Sequence, residues 1–405
     1  AGSAIGRKMP WGVLTGIRPT KLVYQLIRKH GKKRDVIAEI LHREYKIAKD
    51  KVSLLLDIVG FDGEIINGLE DEGVNLYIGI PFCPSKCAYC SFTSYPIDTH
   101  QNLVESYLEV LKTEMRYVGK HIVKDRPITT IYIGGGTPTA LSQKQLKELM
   151  VSITTIFDTQ GIKEFTVEAG RPDTIDADKL SVLKAYGVDR ISINPQTMNQ
   201  DTLDLIGRDH TTLDIEEAYN IAKSIGFKAI NMDLILGLPG ESRIDVLSTL
   251  EAMWHFKVEN ITVHTLAVKK GSELMDKQAN YHMASALEVE EMLQMSRIQL
   301  ELMGLKPYYM YRQKHTLGNF ENVGYTKEGL ACLYNMIMIE EVQTVIAMGA
   351  GSISKFVYRK NDEPHFERIE NVKNLDEYIG RIDEMIQRKK SVARLHLTTI
   401  KDDYK

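Results

Sequence analysis

Six short apolar runs alternate with amphipathic stretches between residues 75 and 270, and this alternation constrains the fold of the 405-residue chain more than any other feature. The predicted strands lie at 76–80, 130–133, 165–168, 190–193, 230–236 and 261–265. The predicted helices among them include 102–117, 143–157, 176–186, 213–224 and 243–256. A strand–helix alternation of this length predicts an α/β fold with a parallel sheet, which is either open or closed into a barrel.

The unusual residues of this region fall at or just beyond the C-terminal ends of the predicted strands. They are Cys83, Gly134, Gly135, Gly136, Thr137, Glu168, Gln196, Asp233 and Ala267. Ligand-binding loops of parallel α/β proteins gather at this end of the strands. The pattern therefore favours a partial (β/α)6 barrel with a functional site on one rim.

The segments on either side of the alternation have different patterns. Residues 1–72 are predicted to be helical, with one helix at 20–29 and another at 35–59. After Gly271 we predict a long helix at 285–303, an irregular stretch at 307–325, a glycine cluster at 349–354 and a charged helix at 375–389. The predicted organisation is an N-terminal helical segment (1–72), a barrel (73–270) and a smaller C-terminal α+β domain (271–400). Because the chain starts Ala1-Gly2-Ser3-Ala4, we expect natural residues upstream to be missing, and residues 401–405 are left out of the fold prediction.

Composition excludes several classes of protein. The apolar content of 43% and charged content of 26% are ordinary for a globular enzyme. A net charge of −3 gives no electrostatic footprint for nucleic acid. No apolar stretch approaches the roughly 18 residues that span a bilayer. With reduced cysteines and no export signal, we expect the protein in the cytoplasm.

Three of the four cysteines, Cys83, Cys87 and Cys90, lie within eight residues. Disulfides form in pairs and in oxidising compartments, so this cluster is not a disulfide framework. Three thiolates on one loop suit an iron–sulfur cluster that leaves one iron without a protein ligand. A zinc site and ordinary structural cysteines are the alternatives, although zinc normally takes four ligands. The fourth cysteine, Cys332, lies in an apolar segment and is predicted to be a core thiol.

The motifs around these residues resemble those of radical S-adenosylmethionine (SAM) enzymes, and most closely the oxygen-independent coproporphyrinogen III dehydrogenase family. Tyr77-Ile78-Gly79-Ile80-Pro81-Phe82-Cys83 leads into the C-x3-C-x2-C spacing. Further matches are Gly134-Gly135-Gly136-Thr137-Pro138-Thr139, Glu168, Arg190-Ile191-Ser192, Gln196 with Arg208, and Asn231-Met232-Asp233 with the Leu-Pro-Gly that follows. The opening from Trp11 to Lys21 resembles the Firmicute-type subgroup, so the resemblance covers almost the whole chain.

The resemblance implies a [4Fe–4S] cluster held by Cys83, Cys87 and Cys90, whose open iron chelates SAM. It also implies one bound SAM, or two. The residues implied to contact SAM are Tyr77, Tyr89, Gly135, Gly136, Thr137, Glu168, Gln196, Arg208, Asp233, Ala267 and Ile353. The implied reaction is the oxygen-independent oxidative decarboxylation of coproporphyrinogen III propionates to vinyl groups, giving protoporphyrinogen IX in porphyrin and haem biosynthesis. The implied partners are a tetrapyrrole substrate and an electron donor such as a flavodoxin or ferredoxin. The protein is expected to be a monomer that works under anaerobic conditions.

Departures from the family pattern keep other functions open. Phe92 stands where these dehydrogenases often have another cysteine, Asn194-Pro195 replaces a Gly-Val pair, and Ile353 stands where haem-chaperone relatives carry a histidine. The alternatives are a radical enzyme that methylates or opens haem or another tetrapyrrole, and a haem carrier without turnover. For a propionate-bearing substrate, Arg312 and Lys314 are the predicted cations, in a Tyr-rich segment.

Overall fold

One mixed sheet of eleven strands forms the framework of the computed structural model, which describes residues 9–276, 281–361 and 363–401. The strands of the protein are β1 Val74–Ile80, β2 Phe82–Cys83, β3 Tyr95–Pro96, β4 Ile128–Gly135, β5 Glu164–Glu168, β6 Arg190–Gln196, β7 Ala229–Leu236, β8 Asn260–Thr265, β9 Lys306–Arg312, β10 Glu321–Thr326, β11 Thr344–Met348, β12 Ile353–Lys360 and β13 Glu363–Glu370. The order across the sheet is β13-β12-β11-β1-β4-β5-β6-β7-β8-β10-β9, and β2 pairs with β3 separately.

The six predicted strands are confirmed as the parallel centre of this sheet. β1 and β4 to β8 pair in parallel with their neighbours. Their residues are buried almost without interruption, as expected for strands that are covered on both faces. This burial explains why the sequence shows continuous apolar runs rather than strict alternation.

Helices connect these strands, and seven of the fourteen described helices begin after a Ser, Thr, Asp or Asn whose side chain caps the first turn. The helices are α1 Thr20–His30, α2 Arg34–Arg43, α3 Lys49–Asn67, α4 Ile97–Val118, α5 Gln143–Ile156, α6 Ala177–Ala185, α7 Gln200–Leu205, α8 Thr212–Ile225, α9 Arg243–Phe256, α10 Glu273–Asp276, α11 Ala286–Leu302, α12 Leu333–Glu340, α13 Leu375–Gly380 and α14 Ile382–Lys390. Ser142, Thr211, Ser242 and Ser285 each form a capping box with the residue three positions later. Such boxes satisfy two otherwise unpaired backbone N–H groups at a helix start.

The sheet curls around α12. This helix contacts both β4 and β9, although five strands separate those two in the sheet. The Glu164 carboxylate at the start of β5 accepts the Leu333 and Tyr334 backbone N–H groups at 2.7 and 3.0 Å and so caps α12. The Tyr334 ring stacks on Tyr132 of β4, with centroids 4.4 Å apart. The fold is therefore a partial (β/α)6 barrel, as the sequence predicted, with α12 held against its concave side.

Two predicted helices are wrong in their extent. The helix predicted at 35–59 is two helices, α2 and α3, because the chain turns at Lys46, whose φ is +58°. The charged helix predicted at 375–389 is likewise divided into α13 and α14, since Arg381 between them leaves the helical conformation with φ −121° and ψ 29°. Side-chain periodicity continues through both breaks, so it does not reveal them.

The predicted irregular stretch at 307–325 is also wrong. It contains strands β9 and β10, which extend the sheet beyond β8 in antiparallel order. Pro307 makes β9 look unlike a strand, but β9 lies at the edge of the sheet, where proline is tolerated. On the other side, β11 pairs in parallel with β1. The residues after 271 therefore continue both edges of one sheet, and no helix in the described ranges is long and apolar enough to cross a membrane.

Candidate active site

A cavity of about 380 Å³ lies at the C-terminal ends of the central strands, between the sheet and α12. Alternate residues of each strand face it because side chains of a strand alternate between its two faces. They are Ser192, Asn194 and Gln196 of β6, Asn231, Asp233 and Ile235 of β7, Thr262 and His264 of β8, and Tyr309 and Tyr311 of β9. Asn335, Met338 and Ile339 of α12 line the opposite side. The rim predicted from the sequence is thus the mouth of a cavity.

The three clustered cysteines are free thiols that line this cavity. Cys83 ends β2, and the loop that carries Cys87 and Cys90 is held by a hydrogen bond from the Ala88 N–H to the Ile206 carbonyl at 2.9 Å. Burial raises the pKa of Cys83 to about 11 and also raises the pKa of Cys90. Buried thiols of this kind become thiolates when a metal supplies positive charge.

Two arginines face the buried sulfur of Cys87. Arg171 Nη1 lies 3.7 Å from the Cys87 sulfur and 3.0 Å from Ser85 Oγ, while its Nε and Nη2 each donate to Asp173 at 2.9 Å. Arg208 also hydrogen-bonds toward Cys87 and Tyr89, and it donates to the Asn194 carbonyl. Their positive charge suits a site that gathers three thiolates. Arg171 was not predicted, although its position three residues after Glu168 at a strand end was a usable signal.

The glycine turn after β4 brings its backbone against the cysteine loop. A Cβ at Gly136 would lie 2.6 Å from the Phe82 carbonyl oxygen and 2.9 Å from the Cys83 sulfur, so a side chain would displace the loop. The Thr137 N–H donates to the Phe82 carbonyl at 2.7 Å, and its hydroxyl lies 3.4 Å from the Cys83 sulfur. Gly135, Gly136 and Thr137 all line the cavity. Close approach of two chain segments therefore requires glycine here.

Glu168 is the carboxylate nearest this turn. It ends β5, lines the cavity and accepts a hydrogen bond from the Tyr132 hydroxyl. Burial raises the pKa of Glu168 to about 7, and the nearby Asp233 carboxylate acts in the same direction. A Cβ at Gly134 would lie 2.8 Å from a Glu168 oxygen, so glycine also makes room for this carboxylate.

Gln196 and Arg208 offer unused hydrogen-bonding capacity. Within the described residues, Gln196 Oε1 and Arg208 Nε are buried without a partner. Gln196 has a φ of +69° and follows a register shift between β6 and β7, at the Asn194-Pro195 departure noted above. Irregularities of this type re-aim a side chain at a functional site. Buried polar atoms without partners are costly, so a polar ligand such as SAM fits this part of the cavity.

Asp233 belongs to a hydrogen-bonded chain that crosses the cavity wall. Asn231 Nδ2 donates to Asp233 and to Ser192 Oγ, both at 2.7 Å, and His264 Nε2 lies 3.6 Å from Asp233. The other ring nitrogen of His264 lies 3.2 Å from the Tyr311 hydroxyl. Burial opposes ionisation of Asp233, but hydrogen bonding and the charge of His264 together lower its pKa. His264 was not predicted, because it adjoins no recognisable motif, whereas Tyr311 belongs to the Tyr-rich segment predicted to face a tetrapyrrole substrate.

Most predicted site residues meet at this cavity, but four do not line it. Tyr89 and Ala267 line it, whereas Tyr77 is partly buried outside the lining, with its ring stacked on Tyr132. Ile353 begins β12, near the far edge of the sheet, and is 39% exposed. Lys314 is exposed. Arg312 turns away, and its Nη1 donates to the Leu14 carbonyl at 2.8 Å. The substrate role of Arg312 and Lys314 stays a prediction, and the structure gives the Arg312 guanidinium contacts to the N-terminal segment.

The cysteine loop is the donor set expected to hold the cluster, and the fourth cysteine lies apart from it. No group of three His, Cys, Asp or Glu side chains in the described part of the chain is gathered to hold one metal ion. Cys332, the remaining cysteine, is buried elsewhere, with its sulfur 3.3 Å from Glu164 Oε1. Its prediction as a core thiol is confirmed by this burial.

Comparisons with known proteins agree with this geometry. The profile of the Radical SAM superfamily matches residues 77–253. The chain is 42% identical over 378 residues to the oxygen-independent coproporphyrinogen-III oxidase-like protein HemZ of Bacillus subtilis (strain 168), an alignment that covers 92% of this chain and 75% of that protein. It is 35% identical over 261 residues to the heme chaperone HemW of the same organism, covering 62% of this chain and 67% of HemW.

A solved structure shares the fold. Coproporphyrinogen III oxidase (HemN) from Escherichia coli, a radical SAM enzyme, matches with a TM-score of 0.63 and 22% identity, over 80% of this chain and 72% of that chain. At this identity the likeness establishes the fold alone. The alignment with HemZ, which spans nearly the whole chain, establishes the family. The chain belongs to the radical SAM superfamily and, within it, to the oxygen-independent coproporphyrinogen III oxidase-like family.

Proposed function

We propose that this protein is a radical SAM enzyme that oxidatively decarboxylates the propionates of coproporphyrinogen III to vinyl groups. The observation that carries the proposal is the placement of three cysteine thiols and a second, polar set of side chains around one cavity. Membership of the superfamily implies a [4Fe–4S] cluster and SAM. HemZ and HemN, named as a coproporphyrinogen-III oxidase-like protein and a coproporphyrinogen III oxidase, supply the substrate class.

The residues around the cysteine loop would bind and orient the cofactors. The bound cluster and SAM supply a 5′-deoxyadenosyl radical that removes a hydrogen atom from the substrate. Cys83, Cys87 and Cys90 would ligate the cluster, and Arg171 would balance its charge. The Glu168 carboxylate would accept hydrogen bonds from the ribose hydroxyls, while the Gly135–Thr137 turn keeps side chains clear of the cofactor.

The second polar set would hold a further SAM or the substrate. We place Tyr89, Gln196, Arg208, Asp233 and Ala267 in this role because all five line the cavity. Gln196 and Arg208 retain buried atoms without partners among the described residues, so they can bond to a ligand without breaking an internal hydrogen bond. Whether one or two SAM molecules bind follows from a titration of SAM against cluster content.

The cavity also supports the exclusion of water that radical chemistry requires. Met338 and Ile339 of α12 and Tyr309 of β9 face the polar wall and present largely apolar surface.

At each reacting propionate, the substrate would lose one hydrogen atom, carbon dioxide and one electron, leaving a vinyl group. The cofactor radical would take up the hydrogen atom, and an external acceptor would take up the electron. A flavodoxin or ferredoxin is the class of donor we propose for the electron that starts each cycle.

A test offers coproporphyrinogen III and haem to the anaerobically reconstituted protein. We expect carbon dioxide and a vinyl-bearing porphyrinogen, with at least one 5′-deoxyadenosine per carbon dioxide, measured by mass spectrometry. A methylated or ring-opened tetrapyrrole without carbon dioxide would contradict the proposal and support the related radical chemistry instead.

A haem carrier is the second candidate, and the alignment with the heme chaperone HemW is the observation that favours it. A carrier would bind haem stoichiometrically and form no 5′-deoxyadenosine with a reductant. The cavity argues for turnover, because a carrier does not need polar side chains that converge beside a cluster site. The same assay therefore separates the two functions.

A further inference from the structure

Lys269 lines the cavity beside the segment that joins β8 to the cysteine loop, where Lys86 Nζ donates to the Gly271 carbonyl at 2.9 Å and the Leu274 N–H donates to the Ala88 carbonyl at 3.0 Å. Lys269 follows β8, is partly buried, and donates from Nζ to Gln313 Oε1 at 2.5 Å. Gln313 lines the same cavity just beyond β9. Within the described residues no carboxylate lies within ion-pair distance of Lys269, and burial lowers its pKa without an opposing acidic neighbour.

The buried lysines Lys51 and Lys389 each have a carboxylate partner, whereas the partly buried Lys269 has none in the described part of the chain. Lys51 Nζ lies 2.6 Å from Glu321 Oε1, and Lys389 Nζ lies 2.7 Å from Glu114 Oε1. A buried ammonium group is costly unless an anion pairs with it. Lys269 differs in that its partner is a neutral amide, which leaves two N–H donors and the whole charge for something that enters the cavity.

The surroundings of Lys269 indicate the kind of anion. His264 and Tyr311 lie on the same wall and present ring and hydroxyl groups that donate or accept hydrogen bonds. The Arg312 guanidinium, next to Tyr311 in sequence, faces the carbonyls of Leu14 and Gly16 instead. Lys269 is thus the positively charged side chain on this wall that can bind a ligand. A single ammonium group beside an amide suits one carboxylate.

We propose that Lys269, with Gln313, forms a binding site for a carboxylate of the substrate. The inference rests on the proposed function, in which the substrate carries propionates. SAM also carries a carboxylate, so the two sources share one chemistry and need separate measurements. We commit to the substrate because the Lys269 ammonium is held by Gln313, and these two residues follow β8 and β9, strands that carry neither the cysteines nor Glu168 nor Gln196.

The test uses full-length protein with its cluster reconstituted and three variants. Lys269→Gln removes the charge, Lys269→Arg restores it, and Lys270→Gln removes an exposed neighbouring charge as the matched control. The probe is coproporphyrin III, which carries four carboxylates and does not react, titrated by fluorescence quenching. Its tetramethyl ester, solubilised in the same detergent solution, has the same ring without the charges. SAM affinity is measured in parallel.

We expect Lys269→Gln to weaken coproporphyrin III binding by roughly tenfold or more, as for a lost charge-assisted hydrogen bond. Lys269→Arg should recover most of the affinity, and Lys270→Gln should match the unsubstituted protein. Binding of the ester and of SAM should be the same in all variants. Iron content and circular dichroism verify that the variants fold.

Three results would overturn the site: unchanged coproporphyrin III binding by Lys269→Gln, an equal loss of ester binding, or a loss confined to SAM. The first indicates no contact, the second a packing defect, and the third that the anion belongs to the cofactor. Failure of the proposed reaction is distinguishable. If Lys269→Gln loses porphyrin binding but the unsubstituted protein releases no carbon dioxide from coproporphyrinogen III, the carboxylate site stands and the decarboxylation does not.

Discussion

Two walls of one cavity are built in different ways. The cluster wall comprises the cysteine loop, the Gly135–Thr137 turn and Glu168, which lie at or just after the C-terminal ends of β2, β4 and β5. The far wall comprises His264, Lys269, Tyr309, Tyr311 and Gln313, which come from β8, β9 and the segments that continue them. The cluster wall uses backbone turns and glycines, whereas the far wall uses alternate side chains of two strands.

The difference shows where chemistry restricts sequence. Ligands for a cluster must lie on one short loop with fixed spacing, so the cluster wall appears as compact motifs. A side chain on the far wall has only to lie on the face of the strand that points into the cavity. Many residue types are compatible with the fold at such a position. We therefore expect changes in the cluster wall to abolish chemistry and changes in the far wall to alter the choice and affinity of the substrate.

Cys87→Ala should have the largest effect on activity. A variant that kept its activity would contradict the distinction between the two walls. We expect loss of the cluster and of SAM cleavage, because two remaining thiolates cannot hold the three liganded irons. Iron and sulfide content and 5′-deoxyadenosine formation measure this change. Cys332→Ala is the control, since Cys332 is buried outside the cavity and should leave the cluster content unchanged.

Gly136→Ala should be nearly as severe. The added methyl group would lie 2.6 Å from the Phe82 carbonyl oxygen, a backbone atom that can move only with the cysteine loop. We expect most of the cluster to be lost, as measured by iron content after reconstitution. Gly60→Ala is the matched control because nothing lies within 4 Å of the added Cβ in α3. It should keep the cluster and stabilise the helix by about 0.5–1 kcal/mol; equal iron loss in both variants would contradict the packing argument.

SAM binding should strengthen as the pH rises through about 7. Burial raises the pKa of Glu168 to about 7, so the empty protein holds a proton there below that pH. Tyr77, Tyr132, Asp233, His264 and Tyr334 are the titratable groups that interact with it. Because the cationic cofactor requires the carboxylate, its affinity should fall by up to about tenfold for each pH unit below 7. The same raised pKa has the opposite pH dependence for folding. Binding of the proton by Glu168 stabilises the folded protein fully below pH 4.5, the ordinary pKa of the group, and this stabilisation is lost as the pH rises through about 7.

Isothermal titrations of SAM at pH 6 and pH 8 measure this dependence. The Glu168→Gln variant should bind SAM more weakly at pH 8 and should lose the part of the pH dependence that Glu168 contributes. An identical pH profile in the variant would show that another group is responsible. The comparison of the two profiles also removes the titration of SAM itself, which is common to both.

The sequence predicted the cluster wall almost completely and the far wall poorly. Cys83, Gly136 and Glu168 belong to contiguous motifs after apolar strands, and the structure places them together. Lys269 and His264 carry no local signal, since their function depends on the pairing of β8 with β10 and of β10 with β9. Pro307 concealed β9, because its tolerance at a sheet edge is known only once the strand order is known.

Arg312 tests the boundary of the far wall and should show the smallest effect. Its guanidinium donates to the Leu14 and Gly16 carbonyls and lies 5.3 Å from the Trp11 ring centroid, so its contacts belong to the N-terminal segment. We expect Arg312→Gln to lower the free energy of unfolding by about 1–2 kcal/mol without changing coproporphyrin III affinity. Denaturant unfolding and the fluorescence titration measure the two quantities. A loss of porphyrin binding comparable to that of Lys269→Gln, at unchanged stability, would move Arg312 into the far wall and support the prediction made from its neighbouring tyrosines.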